Sequence, residues 1–178
     1  MGKKAIPVGI ENFEDIIKDN YYYVDKSMLI EDILVNRAAV TLFARPRKFG
    51  KTLNMSMIKY FFDVRNKDEN RKLFKGLKIF GSEYMKEQGK YPVIFVSLKD
   101  LRGDTWEGTF ENLKSFISDL YAEFEDMREI MNKRDKIKFD KIFYEEEKGD
   151  YETSLKLLSN YIYKYYGKKV IILIDEYD

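Results

Sequence analysis

The stretch Leu42-Phe43-Ala44-Arg45-Pro46-Arg47-Lys48-Phe49-Gly50-Lys51-Thr52 decides how this chain is read. Leu42 to Ala44 closes a run that starts at Ala39 and holds only apolar residues and one threonine, which predicts a buried strand over 39–44. A tight loop follows, and Gly50-Lys51-Thr52 opens a helix predicted over 51–64. On that helix Leu53, Met57 and Phe61 recur at the helical period, with Ile58 and Phe62 beside them. Strand, loop and Gly-Lys-Thr at a helix start is the layout of a phosphate-binding loop. The N–H groups of Phe49, Gly50, Lys51 and Thr52 would converge on an anion, and the helix dipole would add to the attraction. Lys51 would reach the β- and γ-phosphates of a nucleotide, and Thr52 would offer its hydroxyl to Mg²⁺. Gly-Lys-Thr alone is a frequent tripeptide, so the weight rests on its strand–loop–helix context.

The loop departs from the pattern G-x-x-x-x-G-K-[ST], because Arg45 stands where the first glycine would fall. Pro46 fixes its own φ and biases Arg45 toward extended backbone, which favours a defined entry turn. Arg45, Arg47 and Lys48 put three cations beside the phosphate position, where they either steer a nucleotide or are solvated.

A second signal is Val170-Ile171-Ile172-Leu173-Ile174-Asp175-Glu176, an aliphatic strand that delivers two carboxylates. Asp175 would hold Mg²⁺, typically through water, since magnesium keeps much of its hydration shell. Glu176 would orient or deprotonate the attacking water. The bland alternative is a helix cap or a solvated loop. Paired with the phosphate loop, the two carboxylates point to ATP or GTP binding with hydrolysis, in which positioning and charge neutralisation lower most of the barrier.

Between these motifs, Asn12 is expected to start a first helix with Asp15 as a loose capping partner, and Asp25 or Ser27 to cap a second through Met28, Leu29, Ile33 and Leu34. Tyr21–Val24 suggests a short strand or extended turn, with its tyrosines in the core rather than under an adenine. Asn66–Lys72 reads as a charged, solvated connection. Pro92–Leu98 predicts another buried strand. Trp106, Phe110, Leu113, Ile117, Leu120, Tyr121 and Phe124 predict a long helix with Trp106 in its core. Residues 127–148 suggest exposed charged helices, and Leu155, Leu158, Ile162 and Tyr165 a last helix with Gly167 as its C-terminal cap. Three aliphatic strands between helices imply a parallel sheet covered on both sides.

Composition removes whole classes of chemistry. The 178 residues include no histidine and no cysteine. Histidine bases, Ser-His-Asp triads, His- or Cys-ligated metals and disulfides are therefore excluded. With 44% hydrophobic residues and a net charge of +1, a core is expected and no global field steers the chain to nucleic acid or anionic membranes. Lys133–Lys138 is basic but interrupted by Asp135, and is read as a solvated face. The N-terminus lacks the apolar segment of a signal peptide, and the longest apolar run, Val170–Ile174, is too short to span a bilayer, so a cytoplasmic protein is expected.

Several segments together carry a resemblance. Ile6-Pro7-Val8-Gly9, Asn12-Phe13, Tyr21-Tyr22-Tyr23-Val24-Asp25-Lys26-Ser27, Arg45 through Ser56, and Leu173-Ile174-Asp175-Glu176-Tyr177-Asp178 look like the bacterial AAA-ATPase-like family. The resemblance covers essentially the whole chain. In that family the loop is usually written Arg-Pro-Arg-Arg-Phe-Gly-Lys-Thr, so Arg45 is at home and Lys48 is the departure. The resemblance implies an α/β P-loop NTPase of the additional-strand type, with a parallel sheet flanked by helices and strand order 5-1-4-3-2. Residues 1–38 would be an N-terminal helical, nucleotide-proximal segment carrying the Tyr-Val-Asp-Lys motif. Residues 39–178 would be the P-loop core through the Walker B strand. Residues 1–178 would then be the N-terminal part of the domain, truncated after the third core strand, and would turn ATP over poorly alone. Expected ligands are ATP and Mg²⁺. Arg45, Arg47, Lys48, Phe49, Gly50, Lys51, Thr52 and Leu53 would bind the nucleotide, Thr52 and Asp175 the metal, and Lys51 and Glu176 would act in catalysis. Family members often carry a PD-(D/E)XK nuclease-like domain after the ATPase part.

Two other readings stay open: a non-catalytic nucleotide-dependent switch, and an ATPase serving a downstream nuclease domain. This part of the chain is not itself expected to contact nucleic acid or membrane, and no residue decides its oligomeric state.

Overall fold

A computed structural model describes residues 4–44, 46, 49–99, 101 and 103–176. The chain divides into two compact units, Met1–Val93 and Ile94–Asp178, and each is described by itself.

The first unit is built on helices: α1 (Phe13–Lys18), α2 (Leu29–Asn36), α3 (Lys51–Phe62) and α4 (Lys67–Lys72), followed by two short 3₁₀ turns over Lys78–Gly81 and Glu83–Glu87. Asn12 caps α1 as expected, its side chain accepting the N–H of Glu14 at 2.8 Å. The core of this unit is aromatic. Phe13 lies against Phe74 at 5.2 Å, Phe61 meets Phe74 edge-on at 5.3 Å, and Tyr23 meets Phe13 edge-on at 5.5 Å. Met57, Ile58, Phe61 and Phe62 form the buried stripe of α3 read from the sequence. Of the tyrosine run, Tyr23 joins the core while Tyr22 is exposed.

Several expectations change here. Residues 39–44 do not form a strand: Val40 is 87% and Leu42 66% exposed. An apolar run is compatible with a buried strand, but a strand exists only where a neighbour completes the backbone ladder. Among the described residues none does. Asp25 and Ser27 do not cap α2, whose N-cap is Met28 with no side-chain hydrogen bond. Both instead reach forward in sequence. Asp25 accepts the N–H of Lys78 at 2.8 Å, and the buried Ser27 hydroxyl accepts that of Ile79 at 3.2 Å. Residues 67–72 are the helix α4 rather than an irregular connection. Arg65 closes this region, donating to both carboxylate oxygens of the buried Asp63 and to the carbonyl of Val93.

The second unit contains β1 (Val93–Ser97, entered from the first unit), α5 (Trp106–Ala122), a 3₁₀ turn over Glu125–Ile130, α6 (Lys133–Phe143), α7 (Ser154–Tyr166) and β2 (Ile171–Asp175). β1 and β2 are neighbours in a two-stranded parallel sheet, and the N–H of Leu98 donates to the carbonyl of Asp175 at 3.1 Å. Among the described residues two strands are present where three were expected. Nor is the sheet covered on both faces, because Ile172 and Ile174 alternate outward from β2 and are exposed. The core packs Ile94 and Val96 with Ile117, Tyr121, Phe139, Leu158 and Ile162. Gly167 ends α7 in the left-handed conformation, φ 64°, as its position predicts. Trp106 is not core: it is 75% exposed and stacks on Phe110 at 6.2 Å. At the first helical position its side chain leans back toward the turn before the helix, away from the stripe made by Ile117, Leu120 and Tyr121. Among the described residues no helix is long and apolar enough to cross a membrane.

Candidate functional site

The first unit carries the candidate phosphate-binding residues at the start of α3. Gly50 stands at its N-cap with φ 73° and ψ 30°, a left-handed conformation that glycine adopts without steric cost. Beyond its chain neighbours, no atom of the described residues lies within 4 Å of where a Cβ would be. Among the described residues no side chain caps this helix end, and its first turn carries no acidic residue. The helix ladder opens with the N–H of Asn54 donating to the carbonyl of Gly50 at 3.0 Å. The N–H groups ahead of it, on Lys51, Thr52 and Leu53, are the orphan donors of a helix start, and the dipole of a 12-residue helix stands behind them. That is an anion-attracting end. Lys51, Thr52 and Leu53 are half-buried, whereas Phe49 is 63% exposed.

This helix is held from behind. One turn after Thr52, the Ser56 hydroxyl accepts the backbone N–H of Phe13 at 3.0 Å. Further along, the Tyr60 hydroxyl donates to the Glu14 carboxylate at 3.0 Å and accepts from the Asn12 side chain at 3.4 Å. Nothing in the sequence signals this anchoring, because a lone serine on an apolar helix face has no periodic signature.

The second unit carries the candidate acidic residues at the end of β2. Asp175 is its last residue and only 4% exposed. Glu176 follows with φ 54°, a left-handed conformation uncommon for a residue with a side chain, and its N–H donates to the Asp175 carboxylate at 3.1 Å. The strand thus ends in a buried carboxylate followed by an exposed one on a sharply turned backbone.

Lys51, Thr52 and Leu53 belong to the first unit, and Asp175 and Glu176 to the second. Arg45, Arg47 and Lys48, expected to line the phosphate position, lie outside the described residues. Among the described residues no group of three or more Asp or Glu side chains could hold a metal. The expected Mg²⁺ set of one hydroxyl and one carboxylate would not form such a group, and its hard oxygen donors are those magnesium prefers.

The model of the AAA-ATPase-like family, described as a predicted AAA-ATPase, matches residues 7–178. The chain belongs to the AAA-ATPase-like family. Membership supports ATP and nucleotide binding in general terms. Among curated proteins, an uncharacterized protein in the vnfD 5′ region of Azotobacter chroococcum mcd 1 is 35% identical over 80 residues. That match covers 44% of this chain and 14% of the relative, so the chain spans only a small part of that protein. No solved structure matches the chain.

Proposed function

We propose that this chain carries the phosphate-binding loop and the Walker B strand of an additional-strand P-loop ATPase, whose reaction is the binding and hydrolysis of Mg-ATP. The observation that carries the reading is the start of α3: a left-handed glycine, an uncapped helix end free of acidic residues, and Lys51-Thr52 in the first turn, in a member of the AAA-ATPase-like family. The orphan N–H groups and Lys51 hold the phosphates, together with Arg45, Arg47 and Lys48 from the loop. Thr52 and Asp175 hold Mg²⁺, whose charge when bound offsets that developing on the phosphate oxygens. Asp175 is buried, its backbone carbonyl accepts the ladder bond from Leu98, and its carboxylate accepts the N–H of Glu176. Glu176, exposed and one residue further, accepts the proton of the attacking water.

Calorimetry with Mg-ATP on the wild type and on Lys51→Ala tests the binding half. Micromolar binding lost in the variant, with an unchanged melting temperature, supports it. Equal binding by both sinks it. For hydrolysis, Glu176→Gln should keep the affinity and lose turnover by about a hundredfold or more. If the substitution leaves turnover intact, Glu176 is not the group that takes the proton from the attacking water.

A further inference from the structure

In the sequence, the basic run at the start of α6 is interrupted by Asp135, which suggests a charge-mixed, solvated surface. The structure separates the charges. At 100° per residue, Lys133, Arg134, Ile137, Lys138 and Lys141 occupy an outward arc of about 140°. Phe139 and Ile142 lie on the opposite side and are buried. The two carboxylates of α6 sit outside that arc, and each is taken by a cation from another element. Asp135 receives Lys164 of α7 at 2.7 Å and the Asn132 side chain at 2.8 Å. Asp140 receives the Arg128 guanidinium at 2.7 Å. Among the described residues, none of Lys133, Arg134, Lys138 and Lys141 makes an ion pair. These four and Ile137 line one shallow depression on the surface.

We infer that this outward face of α6 is a docking surface for the phosphate backbone of a polynucleotide, a function beyond nucleotide hydrolysis and independent of it. The cations complement a polyanion, and no carboxylate within the face competes. From Lys133 to Lys141 the helix rises about 12 Å. At about 3.4 Å of axis per phosphate on one strand, that distance matches three to four phosphates. The face is poorly suited to the other anionic surfaces. A helix that lies on a membrane needs a broad apolar side for the lipid, and that of α6 is buried in the protein core. A protein partner needs an apolar or aromatic centre, and this face offers only Ile137. Flexible cations reading phosphates give binding without sequence preference.

The test is fluorescence anisotropy with a labelled DNA duplex of mixed sequence, titrated from low to physiological salt. The variants are the fourfold K133Q/R134Q/K138Q/K141Q and a comparison K75Q/K148Q/K168Q/K169Q, each checked by thermal melting. The α6 variant should bind at least about tenfold more weakly at low salt. Its plot of log affinity against log salt should be shallower by roughly 3 to 4, at about 0.9 for each phosphate no longer neutralised. The comparison variant should keep most of the affinity. Ile137→Asp, a single exposed change at the centre of the face, should also weaken binding and serves if the fourfold variant melts. No binding by the wild type at low salt, equal losses in the two fourfold variants, or binding to phosphatidylserine vesicles without binding to DNA would each overturn the proposal.

Discussion

The hydroxyl of Ser56 accepts the backbone N–H of Phe13 at 3.0 Å, across 43 residues of sequence and between two buried residues. This one bond ties the first turn of α1 to the helix that presents Lys51 and Thr52. Ser56→Ala leaves a buried N–H without an acceptor, at a cost of about 1–3 kcal/mol. Urea unfolding should show that loss. A change below about 0.5 kcal/mol would mean that water replaces the hydroxyl.

Asp25 carries a pH dependence. Burial acts to raise the pKa of its carboxyl, but hydrogen bonds from the Ser27 hydroxyl and from the backbone N–H groups of Lys78 and Ser27 outweigh it and hold the group below its ordinary value of 3.8. A carboxyl depressed in the folded state contributes stability above its unfolded pKa and loses it as pH falls through the folded one. Acid unfolding of the wild type should therefore steepen below about pH 3.8. Asp25→Asn should be less stable at neutral pH and should have a flatter profile in that window. Parallel profiles for the two proteins would refute the linkage.

Gly50 has room for a side chain but not the backbone for one. Gly50→Ala meets no neighbour, so its cost is that of left-handed backbone, about 1 kcal/mol. Gly50→Asn should cost less, because asparagine tolerates that conformation. Both should melt close to the wild type, while Mg-ATP affinity falls more for alanine than for asparagine. The opposite order would show that the left-handed turn is not what shapes the loop.

In the second unit, the Tyr121 hydroxyl donates to the carbonyl of Ser154 at 2.8 Å in a fully buried setting. Tyr121→Phe keeps the ring packing and removes the donor, so stability should drop by about 1–2 kcal/mol without a change in nucleotide affinity. A variant as stable as the wild type would show that the Ser154 carbonyl finds another donor.

Local signals were legible in the sequence. The Asn12 cap, the Gly167 cap, the buried stripe of α3, the long helix α5 and the strands before Leu98 and Asp175 each rest on interactions within a few residues or on an unbroken apolar run. The failures share a cause as well. Residues 39–44 look like a strand because their composition suits one, yet pairing is a property of the neighbour. Asp25 and Ser27 look like caps because they precede a helix, but their acceptors are taken by Lys78 and Ile79, some 50 residues away. Trp106 fits the helical period, but at the first position its side chain leans off the end of the buried stripe.

The chemistry open to this protein is written in its residues: no histidine or cysteine, a Gly-Lys-Thr at a helix start and an Asp-Glu at a strand end. These follow from residue identity and spacing, which the one-dimensional pattern contains in full. Which polar groups became internal fasteners, and which stayed available to a ligand, was settled by folding alone. Ser56, Ser27, Asp25 and Asp135 are spent on partners far away in the chain, while the first turn of α3 and the outward face of α6 are left open. A hydrogen-bond partner is chosen by proximity in space, and that proximity exists only after the apolar stripes have been buried.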